Sequence, residues 1–343
     1  MAEQESQPSA GALFRQLRQD RNTTLQQVAD GQCSVGFISK FERGERDISF
    51  TRIRHLLDRI NVSLEEFMLL LNARNGQPVA DRELLSLSIE LRGIQLSAAY
   101  FQPFLDLIKY NDNLTYSVTP QALAKLKQFG DAALAANNGT ARWQKFYRIY
   151  RHILLTIATT NLTQADARSH TPIEDLLQTF GEWSRPVTAY LYSVDHWGTF
   201  EFLMMRIFQL TMDLNSLRRF TKLAVRRAAT QESSHNRALL FGILQGAFTR
   251  FVAARQFQDA KQCIQWHAAL NDVEDVYYSM FNQFMRGWLL IHQGQVARGQ
   301  QQCQRLIAIL QELGMTRTAQ LWKYHLRVVI ASYEQPNKYG IFM

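Results

Sequence analysis

The stretch Thr24–Phe67, TLQQVADGQCSVGFISKFERGERDISFTRIRHLLDRINVSLEEF, decides how the first part of the chain folds. Apolar residues recur in it at three- and four-residue spacing, the period of helices with one buried face. Leu25, Val28 and Ala29 form one such group, Ile38 and Phe41 a second, and Ile53, Leu56, Leu57 and Ile60 a third. Thr24 with Gln27, and Ser63 with Glu66, have capping-box spacing and mark two helix starts; Ser34 can cap another. Asp30-Gly31-Gln32 and Arg43-Gly44-Glu45-Arg46 carry the turn formers between the groups. Upstream, Phe14 and Leu17 mark the apolar edge of a first helix in GALFRQLRQDRN. Residues 11–71 therefore predict five short helices around a small core.

A helix, a glycine-containing break and a second short helix make helix-turn-helix geometry, in which the third helix of the five lies in the major groove of DNA. The stretch resembles the XRE-type (lambda-repressor-like) DNA-binding domain. ISKFERGERDISF, followed by LLDRINVSLEEF, resembles more narrowly the Rgg/GadR/MutR family of regulators from Gram-positive bacteria. The resemblance runs through all five helices and keeps both turns in register. It implies a dimeric transcription factor on double-stranded promoter DNA, with a helical-repeat carboxy-terminal domain that often senses a short peptide. Ser34, Gly36, Phe37, Ser39 and Lys40 then occupy the exposed start and middle of the third helix. Lys40 and Arg43 would reach phosphates or guanine edges, and Arg15 and Arg18 of the first helix would contact phosphates. Many XRE-type domains carry a glutamine just after the position of Ser34 and another opening the second helix. Val35 and Leu25 stand there instead, so that glutamine readout does not transfer. Glu42 is expected to pair internally with a first-helix arginine, and Cys33 to be a small buried filler.

The chain has 343 residues, of which 46% are apolar and 20% charged, enough to bury a large core. Only 7 prolines and 17 glycines interrupt it, which favours long helices over an all-β chain with many turns. The polar, acidic start MAEQESQPSAG lacks the pattern of a signal peptide, and no apolar run is long enough to span a membrane. Three scattered cysteines, Cys33, Cys263 and Cys303, suit a reducing compartment and form neither a disulfide framework nor a metal cluster. These features predict a cytoplasmic protein. The net charge of +8 is unevenly placed: the first 75 residues hold ten basic and ten acidic side chains, and the excess lies beyond them. DNA binding by the first segment must then rest on local placement of charge.

After Asn75-Gly76-Gln77-Pro78, helix-period segments continue almost to the end. The fragments SLRRFTKLA (216–224), QFQDAKQCI (256–264) and QVARGQQQC (295–303) align at steps of 40 and 39 residues, each preceded by a long amphipathic segment. Such spacing predicts stacked tetratricopeptide-like helical pairs with a concave surface. The terminal segment LWKYHLRVVIASY has a wide apolar face and is the expected homodimer contact. Within 142–152, Arg142, Lys145, Arg148, Arg151 and His152 recur at threes and fours among Trp143, Phe146, Tyr147 and Tyr150. Arg148 and Arg151 are candidates to hold a peptide carboxylate, with Tyr147 shielding the pair. The alternative is a solvated basic face over ordinary inter-helix packing. Asn236 and Asn282 open successive long helices; in related peptide-sensing repeat proteins such asparagines hold the ligand backbone, since an amide donates and accepts. Here the alternative is that both are ordinary polar side chains on the surface. Arg218, Lys222 and Arg226 form a further stripe, a solvated face or a DNA-proximal patch.

No catalytic motif occurs: the sequence has no phosphate-binding loop, HExxH, serine elbow or Cys-x-x-Cys, and its eight histidines are scattered. No metal site and no cofactor are expected. The sequence predicts an all-α chain: a lambda-repressor-like helix-turn-helix domain over 8–72, then a helical-repeat, tetratricopeptide-like solenoid over 79–335. The expected partners are promoter DNA, a short hydrophobic peptide and a second copy of the chain, without membrane attachment. Two alternatives stay open: a ligand-independent regulator or scaffold whose repeats bind a protein, and an enzyme or enzyme inhibitor with a vestigial head.

Overall fold

A computed structural model describes residues 10–74, 142–164, 173–228, 234–270 and 275–336, with scattered positions between 103 and 128. The break at Asn75–Pro78 and the predicted boundaries at residues 8 and 79 lie outside these. Helices and turns make up all regular structure among the described residues. The chain divides into two compact units, with residues 10–74 in the first and the described residues from 103 onward in the second.

The first unit is five helices: α1 (Ala10–Asp20), α2 (Leu25–Val28), α3 (Val35–Glu42), α4 (Phe50–Arg59) and α5 (Leu64–Arg74). Their starts are set by side chains that satisfy otherwise orphaned amides. Thr24 Oγ1 accepts from the Gln27 amide while Gln27 Oε1 accepts from the Thr24 amide, a complete capping box. Ser34, Ser49 and Ser63 accept from the amides of Phe37, Arg52 and Glu66. Each cap contributes about 1 kcal/mol. Between α2 and α3 the Asp30 carboxylate accepts from the amides of Gln32 and Cys33 and bonds the His55 ring. The His55 bond, then that of Gln32, hold Asp30 down at about 2. Phe14, Val28, Ile38, Leu56 and Leu57 are fully buried, and Cys33 fills the same core. Gly11 lets α1 lie directly on the end of α3: a β-carbon there would sit 1.9 Å from the Phe41 carbonyl oxygen.

The second unit is a succession of antiparallel helical pairs. Its long helices are α6 (Arg142–Gln164), α7 (Ile173–Ser193), α8 (Thr199–Phe208), α9 (Leu214–Ala228), α10 (Ser234–Ala253), α11 (Phe257–Ala269), α12 (Val276–His292), α13 (Val296–Glu312) and α14 (Thr316–Glu334). The repeat is visible in the turns. In α10–α11, α12–α13 and α13–α14 the last turn closes with one bond type: Gln256, Gln295 and Met315 amides donate to the carbonyls of Phe251, Leu290 and Leu310. Each turn passes through a left-handed residue, Arg255, Gly294 or Gly314. Leu217 and Phe220, Ala260, and Gly299 are buried at the repeated positions, as the internal alignment predicts, while Phe257 and Val296 are half-buried. α12 and α13 meet backbone to backbone, because a β-carbon on Gly299 would lie 2.3 Å from the Gly287 carbonyl oxygen.

Three histidines lie among these helices, His267 fully buried and His292 and His325 half-buried, and loss of solvent pulls each down to about 4. The unfolded chain takes up these protons from about pH 6.5 downward, whereas the folded one resists to about pH 4. Stability therefore falls as pH drops through that window, with a slope approaching about 1.4 kcal/mol per pH unit for each histidine. Thermal unfolding of the full chain is expected to show a midpoint that declines steadily below about pH 6.5. His267→Gln should flatten the decline, and an unchanged midpoint down to about pH 5 would refute the assignment.

A second expectation concerns packing. Gly299→Ala should cost about 1–3 kcal/mol by forcing α12 and α13 apart. Gly314→Ala meets open space and carries only left-handed strain, about 1 kcal/mol. Paired denaturant titrations of the two variants check this order.

Candidate nucleic-acid interface and ligand-facing helices

The first 75 residues carry no net charge, so what matters is which charges are paired. Arg18 is 7% exposed and grips Glu42 with two bonds, Nε to Oε1 at 2.7 Å and Nη2 to Oε2 at 2.9 Å. Its Nη1 donates to the Thr23 carbonyl. Arg18 is therefore a structural residue and not the phosphate contact expected of it; its face of α1 turns inward, while Arg15 turns outward. Glu42 is the internal partner expected for a first-helix arginine. Arg21 pairs with Glu66, and Arg59 lies 3.7 Å from Asp30.

Around α3 the balance differs. Lys40 is exposed, and Ser34, Gly36 and Val35 are open to solvent at the helix start, with Ser34 Oγ held as the cap. Phe37 is half-buried, and the guanidinium groups of Arg46 and Arg52 lie over its ring at 5.3 and 4.9 Å. Among the described residues, Arg15, Arg46, Arg52 and Arg54 form no ion pair, and Lys40 forms none but lies in reach of the Glu45 charge. Arg43 is exposed but forked onto Glu45, a bond that lowers the Glu45 carboxyl, and it also donates to Ser39. Sequence reasoning missed Arg46 and Arg52, because only the return of the chain into α4 brings them to Phe37. The surface so built is an exposed helix start flanked by unpaired cations, suited to a polyanion.

In the second unit the expected ligand residues do not converge. Tyr147 is completely buried, its ring 5.5 Å from Phe104 and 6.2 Å from Trp143, so it is core and cannot shield a carboxylate clamp. Phe146 packs on Tyr190 and Phe200, and Tyr150 on Phe208. Arg151 is half-buried and donates to the Lys127 carbonyl at 2.7 Å, whereas Arg148 is exposed. Asn282 is 5% exposed; its Nδ2 donates to the Ile264 carbonyl at 2.8 Å and its Oδ1 accepts from Arg286 Nε at 3.0 Å. That amide ties α12 to α11 and is not available to a ligand backbone; what it presents to solvent is Arg286. Asn236 is likewise buried, at 4% exposure. Arg218 of the third stripe is forked onto Asp259, while Lys222 and Arg226 are exposed.

No cluster of three His, Cys, Asp or Glu side chains able to hold a metal ion occurs among the described residues. No helix among them is long and apolar enough to cross a membrane.

Comparison with known proteins adds the family. Residues 14–67 match the helix-turn-helix family model, and residues 135–324 match the model for the carboxy-terminal domain of the HTH-type transcriptional regulator Rgg. Curated proteins offer no match. Among solved structures, the Streptococcus dysgalactiae SHP pheromone receptor Rgg2 is similar at 20% identity and a TM-score of 0.65, covering 93% of this chain and 99% of that one. A transcriptional regulator from Listeria monocytogenes is similar at 14% identity and a TM-score of 0.71, covering 95% and 98%. ComR from S. thermophilus, solved with DNA and its signalling peptide ComS, is similar at 13% identity and a TM-score of 0.50, covering 94% and 99%. These likenesses establish a common fold. The Rgg model alone spans more than half of the sequence, and with the helix-turn-helix match ahead of it the chain belongs to the Rgg family of HTH-type transcriptional regulators.

Proposed function

We propose that this chain is a cytoplasmic regulator that reads promoter DNA through α3 as a homodimer and responds to a short hydrophobic peptide on its repeat unit. The head would span residues 8–72 and the sensing and dimerising part 79–335. The observation that carries the reading is the disposition of charge around α3: Arg18 is paired in the core, whereas exposed Lys40 on α3 and the Arg46 and Arg52 groups over Phe37 form no ion pair among the described residues. Base contacts would come from Ser34, Gly36, Phe37 and Ser39, and phosphate contacts from Arg15, Lys40, Arg46 and Arg52, with Arg43 joining once it leaves Glu45. Two heads on one dimer address two half-sites, which doubles the contacts of a small module. The half-buried Leu321, Val328 and Ile330 on α14 support a dimer contact there. A ligand shifts such a regulator only by binding its two states unequally. The family and the absence of a catalytic motif in the sequence support regulation without enzymatic activity.

Lys40→Ala with Arg52→Ala should weaken operator binding and lower the slope of log K against log salt by about 0.9 for each phosphate that is no longer neutralised. Arg18→Ala should act differently. It strands Glu42 in the core, costs about 3–5 kcal/mol and unfolds the head. Fluorescence anisotropy over a salt series, beside circular dichroism of each variant, separates the two. An unchanged slope in the double variant would place α3 away from DNA.

The burial of Tyr147 and Asn282 favours a second reading, in which the repeats dock a protein partner and take no peptide. Arg148→Ala is the discriminating variant. If the exposed Arg148 meets a peptide carboxylate, its removal should weaken the peptide response by about 1 kcal/mol or less, the scale of an exposed pair, with DNA affinity intact. The response is measured by titrating peptide onto DNA-bound full-length protein, and an unaffected response gives way to the protein-partner reading.

A further inference from the structure

The carboxy-terminal ends of α10, α12 and α14 enclose a cleft with a cavity volume of about 50 Å³. That is several times the space needed for one water. Val252, Ala253, Pro336 and the Trp288 ring supply apolar wall, and Trp288, Arg255 and Tyr333 supply polar atoms. Three observations set the chemistry of an occupant. First, Trp288 lines the cleft and is 1% exposed, and its buried indole Nε1–H has no hydrogen-bond partner among the described residues. A buried donor left so costs free energy that an acceptor in the cleft would recover.

Second, among the described residues the cleft has one charge, Arg255. His292 is held neutral, down at about 4, chiefly by burial and further by the field of Arg255, against a backbone bond to Val329 that raises it. Its Nε2 lies 3.3 Å from Ser332 Oγ, whose hydroxyl donates to the Val329 carbonyl. Among the described residues no acidic side chain lines the cleft and no carboxylate pairs with Arg255. Third, Arg255 stands in a conformation that favours glycine. Its φ is 55°, and the corresponding turns place Gly294 and Gly314 at that step. A side chain kept where the turn prefers none is retained at the cost of local strain, which points to use of its head group.

An anionic acceptor meets the indole N–H, the guanidinium and the Tyr333 hydroxyl together, and the apolar wall selects one with a small hydrocarbon body over a bare, strongly hydrated ion. We propose that this cleft is a carboxylate-binding site for a small apolar acid, free or as the carboxy terminus of a peptide, apart from any peptide contact at Arg148.

Calorimetry on the full-length protein tests it with isobutyrate and N-acetylalanine, each beside its neutral amide. Saturable one-to-one binding of an acid and not of its amide is expected, and the tighter acid assigns the source. Arg255→Gly should weaken binding about tenfold or more, the scale of a missing charge-assisted bond, while the unfolding temperature stays equal or rises because glycine suits the turn. Trp288→Phe keeps the ring, removes the N–H and should weaken binding several-fold. Arg148→Ala should leave it unchanged, which separates this site from the peptide reading. Failure of both acids to bind, equal binding of the amides, or full affinity in Arg255→Gly overturns the proposal.

Discussion

The orientation of α3 depends on one buried ion pair. Arg18 and Glu42 are 24 residues apart in sequence, yet their fork joins the last turn of α1 to the last residue of α3, where Gly11 already brings the two backbones into contact. Two charges taken from water repay their desolvation only with good geometry and every remaining hydrogen satisfied, and the third bond, from Arg18 to the Thr23 carbonyl, helps meet that condition. The pair does not make the core more stable than well-packed apolar residues would. It makes one relative placement of α1 and α3 much better than its neighbours, and that placement aims Ser34–Phe37 outward.

The same fork decides the electrostatics of the surface. Arg18 neutralises Glu42 at the buried end of α3, while Arg21 pairs with Glu66 and Arg59 lies toward Asp30, so these three acids are matched by cations other than Lys40, Arg46 and Arg52. A segment with balanced charge thereby keeps unpaired cations beside the start of α3. Arg46 and Arg52 resting on Phe37 also restrict the ring and the guanidinium groups, so less side-chain entropy remains to be given up when a phosphate arrives.

In the repeat unit the comparable constraint is close approach. Gly287 and Gly299 let α12 and α13 touch through their backbones, and Cys303, fully buried, seals the contact with Sγ beside the Phe284 carbonyl. Interfaces packed this tightly are arranged to hold one geometry, so polar groups inside them serve the packing. Asn282 illustrates the point, since its amide bridges to the Ile264 carbonyl and fixes the exposed Arg286. Residues that packing leaves at its edge are then the exposed Arg286 and the rim of the Trp288 cleft.

How much of this could be read from the sequence follows from the range of each interaction. Helix starts at Thr24, Ser34, Ser49 and Ser63 depend on atoms two or three residues away, and the turns at Asp30 and Gly44 on their own backbone, so composition and spacing by themselves determined the five-helix head. Periodicity likewise determined the repeat, because a buried face every 39 or 40 residues must recur wherever one hairpin stacks on the next. Which basic residue faces water was beyond reach: Arg15 and Arg18 differ by one turn of α1, and only the approach of α3 buries one and frees the other. Arg46 and Arg52 reach Phe37 only after the chain has turned into α4. Tyr147 and Asn282 looked like ligand residues because aromatic and amide groups serve a groove and a core equally well. The tertiary structure decided between those uses, since burial is set by neighbours distant in the chain and local spacing carries no record of them.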